Sequence, residues 1–257
     1  MGILAAVIAA NIASTAVSLT LAAVLSFRWL SGLVDRLVHV SIGLLLTTAL
    51  VHIVPEALAS GLPPAALGWT VLAGILGLFI LEKLTLVHHT HHHEGDGHDH
   101  EHGHDARQIG RGAIPILIAD ALHNFTDGVV IAAAFLVDVR AGLVTALAVL
   151  AHEIPHEIGD FMILLNAGVS RRRSFLFLVL SGSAAVLGGV VGYFLLARAQ
   201  TLLPYALAIA AASFLYIALS DLLPELMRRS SLRESLPEVG FVLIGVVIAL
   251  LAMLPTA

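Results

Sequence analysis

Apolar runs of membrane-spanning length recur along almost the whole chain, and nothing else in the sequence constrains the fold as tightly. A helix that crosses the hydrocarbon core of a bilayer takes about 20 residues. Breaking the sequence at its charged and Gly/Pro-rich points leaves eight such runs, at 2–26, 37–58, 66–82, 113–137, 142–168, 174–197, 202–223 and 238–256. Only helices and closed barrels satisfy their backbone within lipid, and a chain of 257 residues, 58% hydrophobic and 12% charged, reads as the helical kind. The expected fold class is an all-α membrane protein of eight transmembrane helices, one transmembrane domain over 1–257 with no soluble domain beside it. The first run has no basic stretch before it and is too long for a signal-peptide core, so it is read as the first span.

Lysine and arginine set the orientation. One set of loops holds Arg28, Arg36, Lys83, Arg107, Arg111, Arg171, Arg172, Arg173, Arg228, Arg229 and Arg233, and the other holds Arg140 and Arg198. The positive-inside rule then puts the 83–112 segment in the cytoplasm and both termini outside, as in an integral protein of the plasma (inner) membrane. The net charge of -5 is spread through loops, which argues against a nucleic-acid surface. With no cysteine, disulfides and thiolate ligands are excluded, so any metal chemistry uses nitrogen and oxygen donors.

Nine of the 14 histidines crowd the cytoplasmic segment: His88, His89, His91, His92, His93, His98, His100, His102 and His104, interleaved with Glu94, Asp96, Asp99, Glu101 and Asp105. So polar and glycine-containing a stretch is expected to be disordered and to bind zinc-like ions weakly and exchangeably. A solvated polar linker is the plainer reading.

Ionisable residues inside the spans are costly in lipid and mark function. The fourth span carries HNFTDG at 123–128, with His123 and Asp127 on one face and Asp120 with Asn124 on the next. The fifth carries HEIPHEIGD at 152–160, which lines up His152, His156 and Asp160 on one stripe and Glu153 with Glu157 beside it. Pro155 removes a backbone donor there and frees a carbonyl of the preceding turn. His123, Asp127, His152 and His156 make a four-donor set suited to zinc, and equally to iron(II), manganese or cadmium. A hydrogen-bonded network between helices is the alternative use of the same groups.

Two smaller devices, HIVPE at 52–56 and DLLPE at 221–225, sit in oppositely directed spans. They hint at an inverted repeat relating spans 1–3 to 6–8 around spans 4–5, and make His52, Glu56, Asp221 and Glu225 candidates for an ion pathway. Read literally, residues 152–156 are also HExxH, the zinc site of intramembrane metalloproteases. Pro155 within the motif, the second ligand set on span 4 and the lack of a substrate-recognition domain weigh against that alternative.

Eight spans, a histidine-rich loop between the third and fourth, HNFTDG and HEIPHEIGD together resemble the ZIP family of zinc- and iron-type metal transporters, in its HExPHExGD form. The resemblance implies a homodimer in which spans 1, 4, 5 and 6 move against spans 2, 3, 7 and 8. It implies a main site of His123, Asp127, His152 and His156, with Asn124 and Glu153 in an adjacent second site that shares His156. The sixth span has no acidic residue to complete that second site, and Ser181 or Ser183 would be weak substitutes. The expected activity is movement of divalent ions, zinc first among them, toward the cytoplasm by alternating access, with Asp120 and Asp160 lining the exit.

Overall fold

The computed structural model describes residues 2–25, 31–90, 106–222 and 232–254. His91, His92, His93, His98, His100, His102, His104 and Glu225 lie outside the described residues, and His88, His89 and Asp221 are described in their backbone alone. Among the described residues every element is helical. The chain is an all-α membrane protein whose rods are α1 (Ile3–Leu25), α2 (Ser31–Thr47) continuing into α3 (Val54–Ala59), α4 (Pro64–Thr90), α5 (Ala106–Val137), α6 (Val139–Asn166), α7 (Arg171–Arg198), α8 (Leu203–Tyr216) and α9 (Leu232–Met253).

Among the described residues six stretches are long and apolar enough to cross a membrane: Ile3–Val24, Arg36–Ala59, Leu117–Val137, Arg171–Arg198, Gln200–Ser220 and Leu236–Met253. The apolar part of α4, Pro64–Ile80, is shorter, and the apolar character of α6 is diluted by the histidines and carboxylates of its second half. Helices α4 and α5 also run beyond the bounds expected from hydropathy, to Thr90 and from Ala106, into the polar segment between them. Extending an existing helix costs far less than nucleating one, so a polar flank is drawn into the rod.

The helices pack as two sets. In one, α5 lies along α7, α1 against both α6 and α7, and α5 against α6; in the other, α2 pairs with α9, and α8 with α3 and α4. The main meeting of the sets is α2 against α6. Glycines bring backbones together within each set. A Cβ on Gly188 would collide with the carbonyl of Phe125, and one on Gly128 with that of Ala185, so α5 and α7 touch backbone to backbone. Gly43 and Gly245 do the same for α2 and α9, against Val242 and Val40. Small residues at lipid-embedded crossings allow this approach, which gives van der Waals contact where the hydrophobic effect offers nothing.

HIVPE and DLLPE are both entered through a π-helical turn, Thr48–Ile53 before α3 and Ile217–Leu222 after α8. Pro55 has no N–H for the Val51 carbonyl, and a turn bonded five residues back re-registers the ladder at such a break. His52 and Asp221 hold the same place within their wide turns.

Candidate metal centre

Helices α5 and α6 follow each other through a tight connection at Asp138, whose Oδ1 accepts a hydrogen bond from Ala141 N at 2.7 Å and caps α6. The two rods return side by side, which sets HNFTDG against HEIPHEIGD. His123, Asp127, His152 and Glu153 then converge, with one donor atom from each lying within 4.8 Å of all the others. His152 Nε2 lies 3.0 Å from Asp127 Oδ2, 3.3 Å from His123 Nε2 and 3.7 Å from Glu153 Oε1. His123 Nε2 lies 3.3 Å from Glu153 Oε1 and 3.8 Å from Asp127 Oδ2.

These separations can be tested against coordination chemistry. Four donors about 2.0–2.1 Å from a central zinc ion form a tetrahedron with edges of about 3.3–3.4 Å. The observed spacings scatter around that edge, so the side chains could close on an ion with small adjustments. Burial points the same way: Asp127 is 1% and Glu153 2% exposed, and among the described residues their carboxylate oxygens face the imidazole nitrogens of the cluster without a well-aligned hydrogen bond. A buried carboxylate without donors is costly unless a cation neutralises it. On the far side His152 Nδ1 contacts the Ala148 carbonyl at 3.1 Å, which leaves Nε2 facing the cluster, and the Phe214 ring of α8 stands edge-on to the imidazole at 6.0 Å. A second contact of this kind fixes the orientation and tautomer of a metal-binding histidine.

His156 belongs elsewhere. Its ring stacks on that of His123, centroids 4.9 Å apart and 28° between planes, while its Nδ1 lies 3.8 Å from Asp120 Oδ1 and 3.8 Å from Asp160 Oδ2. Asp120, His156 and Asp160 form a second group able to hold an ion. Asn124 braces it: its amide donates to Asp120 Oδ1 at 2.8 Å and to the Asp120 carbonyl at 3.1 Å. Sequence spacing joins His156 to His152 on one stripe, and the family resemblance puts Glu153 in an adjacent site; in the fold Glu153 stands with His123, Asp127 and His152, and His156 with Asp120 and Asp160. Glu157 is fully buried and joins neither cluster, its Oε1 standing 3.8 Å from where a Cβ on Gly182 of α7 would be. His52 and Glu56 lie in and just beyond the π turn of the second rod, in neither cluster.

This arrangement also bears on HExxH. A metallopeptidase of that type needs both histidines on one ion and the glutamate free to activate water. Here Glu153 stands among the donors and His156 faces a different group, which leaves the motif without its catalytic geometry.

One polar pair escaped sequence reasoning. His39 of α2 and Glu238 of α9, both buried, approach to 3.9 Å. Their positions are distant in sequence, and no local spacing pairs them.

A family model described as ZIP Zinc transporter matches residues 86–253. The chain is 41% identical to Zinc transporter foi of Drosophila melanogaster over 140 residues, 54% of this chain and 20% of that protein. It is 36% identical to Zinc transporter ZIP10 of Homo sapiens over 168 residues, 65% of this chain and 20% of that one. Against Metal cation symporter ZIP14 of Danio rerio the identity is 42% over 135 residues, 52% and 27% of the two chains. In each case the matched stretch is less than a third of the relative's own length.

Proposed function

The chain belongs to the ZIP zinc-transporter family, and on that footing we propose that it carries divalent metal ions, zinc foremost, across a membrane toward the cytoplasm. The observation that carries this reading is the four-donor cluster of His123, Asp127, His152 and Glu153, built from two adjacent helices with spacings that suit a tetrahedral ion. The relatives' names supply the metal. In hydrocarbon a bare dication is prohibitively costly, so the protein donors take over from water.

Asp120, His156 and Asp160 act as the next stop. His156, stacked on His123 and 34% exposed at its side chain, stands between the two groups. An ion leaving the first cluster moves along α6 by about one helical turn to reach it. The positive-inside orientation places this second stop nearer the cytoplasm, followed by the histidine-rich segment, where weak ligands lower free metal at the mouth. Alternating access comes from α1, α5, α6 and α7 shifting as a body against α2, α3, α4, α8 and α9, which the separate packing of the two sets supports. His52, Glu56, Asp221 and Glu225, in the two π-turn devices, line the approaches at opposite ends. The homodimer implied by family resemblance and the inverted repeat read from HIVPE and DLLPE form part of the same reading.

The direct test is tracer flux. Liposomes containing the purified chain should take up radioactive zinc with saturable kinetics, and cadmium, iron(II) and manganese should compete to differing degrees because nitrogen and oxygen donors select only weakly among divalent ions. No uptake above protein-free liposomes would refute the proposal, and release of peptide fragments from a membrane substrate would favour the protease. Deleting 88–104 should leave the basal rate within about twofold, since exchangeable surface ligands change local supply rather than the crossing step; complete loss would assign that segment a part in translocation itself.

A further inference from the structure

Pro155 interrupts α6 three residues after His152 and two after Glu153. Having no N–H, it leaves the Ala151 carbonyl without its usual donor, and Ala151 directly precedes the two ligands. An unpaired carbonyl buried in a lipid-embedded helix is costly, so the question is what satisfies it. The Ser41 hydroxyl of α2 stands 2.5 Å from Ala151 O. It is also 2.8 Å from Leu37 O of its own helix. A serine carries one hydroxyl proton. Leu37 O has the Ser41 amide as its helical partner, whereas Ala151 O has none at the corresponding place, so the proton goes to Ala151.

We propose that Ser41 is a positioning residue of the metal site: by donating to the carbonyl that Pro155 leaves free, it fixes the bend of α6 that aims His152 and Glu153 at His123 and Asp127. Ser41 is 1% exposed, and its hydroxyl meets backbone carbonyls and belongs to neither cluster, so its effect passes through the backbone of α6. The bond joins α2 of one packed set to α6 of the other, at the place where the sets chiefly meet. Without it, the Ala151 carbonyl must find water or a straighter helix, and either response displaces the two ligands that follow.

The inference rests on the transport reading above, and the experiment separates the two. Zinc uptake by the full chain in liposomes is measured for wild type, Ser41→Thr, Ser41→Val, Ser41→Ala, Pro155→Ala and Ser41→Ala/Pro155→Ala, with half-saturation and maximal rate resolved. Threonine and valine have nearly the same shape and differ in the hydroxyl. Ser41→Thr should stay within about twofold of wild type, while Ser41→Val and Ser41→Ala raise half-saturation about tenfold, the effect of one buried hydrogen bond. Pro155→Ala returns an N–H to the Ala151 carbonyl, so adding Ser41→Ala to it should change nothing more. Equal values for Thr and Val, or an undiminished Ser41→Ala effect on the Pro155→Ala background, overturns the proposal. Should Pro155→Ala itself be inactive, the Thr and Val pair decides. A wild type that takes up no zinc defeats the transport reading instead.

Discussion

Replacing Asp127 with alanine is expected to abolish saturable zinc entry into liposomes, with a loss of about a hundredfold or more, since even residues that merely support metal ligands typically give 10–100-fold effects. Asp127 is almost wholly buried, its Oδ2 is 3.0 Å from His152 Nε2, and it contributes half of the cluster's carboxylate charge, Glu153 supplying the rest. Alanine leaves three donors and a single negative charge to offset two positive ones. Circular dichroism should show unchanged helix content, because Asp127 accepts no hydrogen bond that holds α5 in place. Asp160→Ala offers a contrast within the same experiment. It leaves the first cluster whole and thins the second, so the maximal rate should fall while half-saturation moves little. Wild-type uptake by Asp127→Ala would show that the ion takes another route.

The second large effect is structural. Gly188→Ala adds one methyl to α7 where the Phe125 carbonyl of α5 already stands, and the backbone atoms on both sides cannot step aside as a flexible side chain would. Overpacking typically costs about 1–3 kcal/mol and sometimes more, and a backbone-to-backbone clash belongs at the upper end. Thermal unfolding in detergent should show a clear fall in midpoint. Zinc affinity should weaken too, because Phe125 lies between His123 and Asp127 and any retreat of α5 carries both side chains away from His152 and Glu153. Ala substitution at Gly77, which has no neighbour within 4 Å, is the control and should be silent. A Gly188→Ala protein as stable as wild type would mean that α5 and α7 are not in backbone contact.

The rods were readable because lipid imposes a length and an apolar composition on each, so the runs at 2–26 and 174–197 correspond closely to α1 and α7. Where polar residues enter, hydropathy loses its edge: α4 and α5 run further than their apolar stretches, and α6 falls below the apolar standard through the residues that give it interest. Helical spacing groups His123, Asp127 and His152, and the fold sets these three side chains at one place together with Glu153. Spacing does not foresee that Glu153 joins them in place of His156, because the choice depends on the His123 ring lying flat on His156 from the neighbouring helix. Pro155 announced a freed carbonyl, yet Ser41, its partner, is 110 positions away and looks like any hydroxyl in a membrane helix. Periodicity describes one rod at a time, and these arrangements belong to pairs of rods.

The two wide turns in α2–α3 and α8 bear on how these rods can yield. His52 and Asp221 each stand fifth in their turn, with a proline then a glutamate soon after. Membrane helices that kink sharply do so at prolines and at π turns, where the i to i−4 ladder is already broken. Each of the two rods therefore carries one built-in joint, at which it can flex while the straight stretches on either side keep their packing.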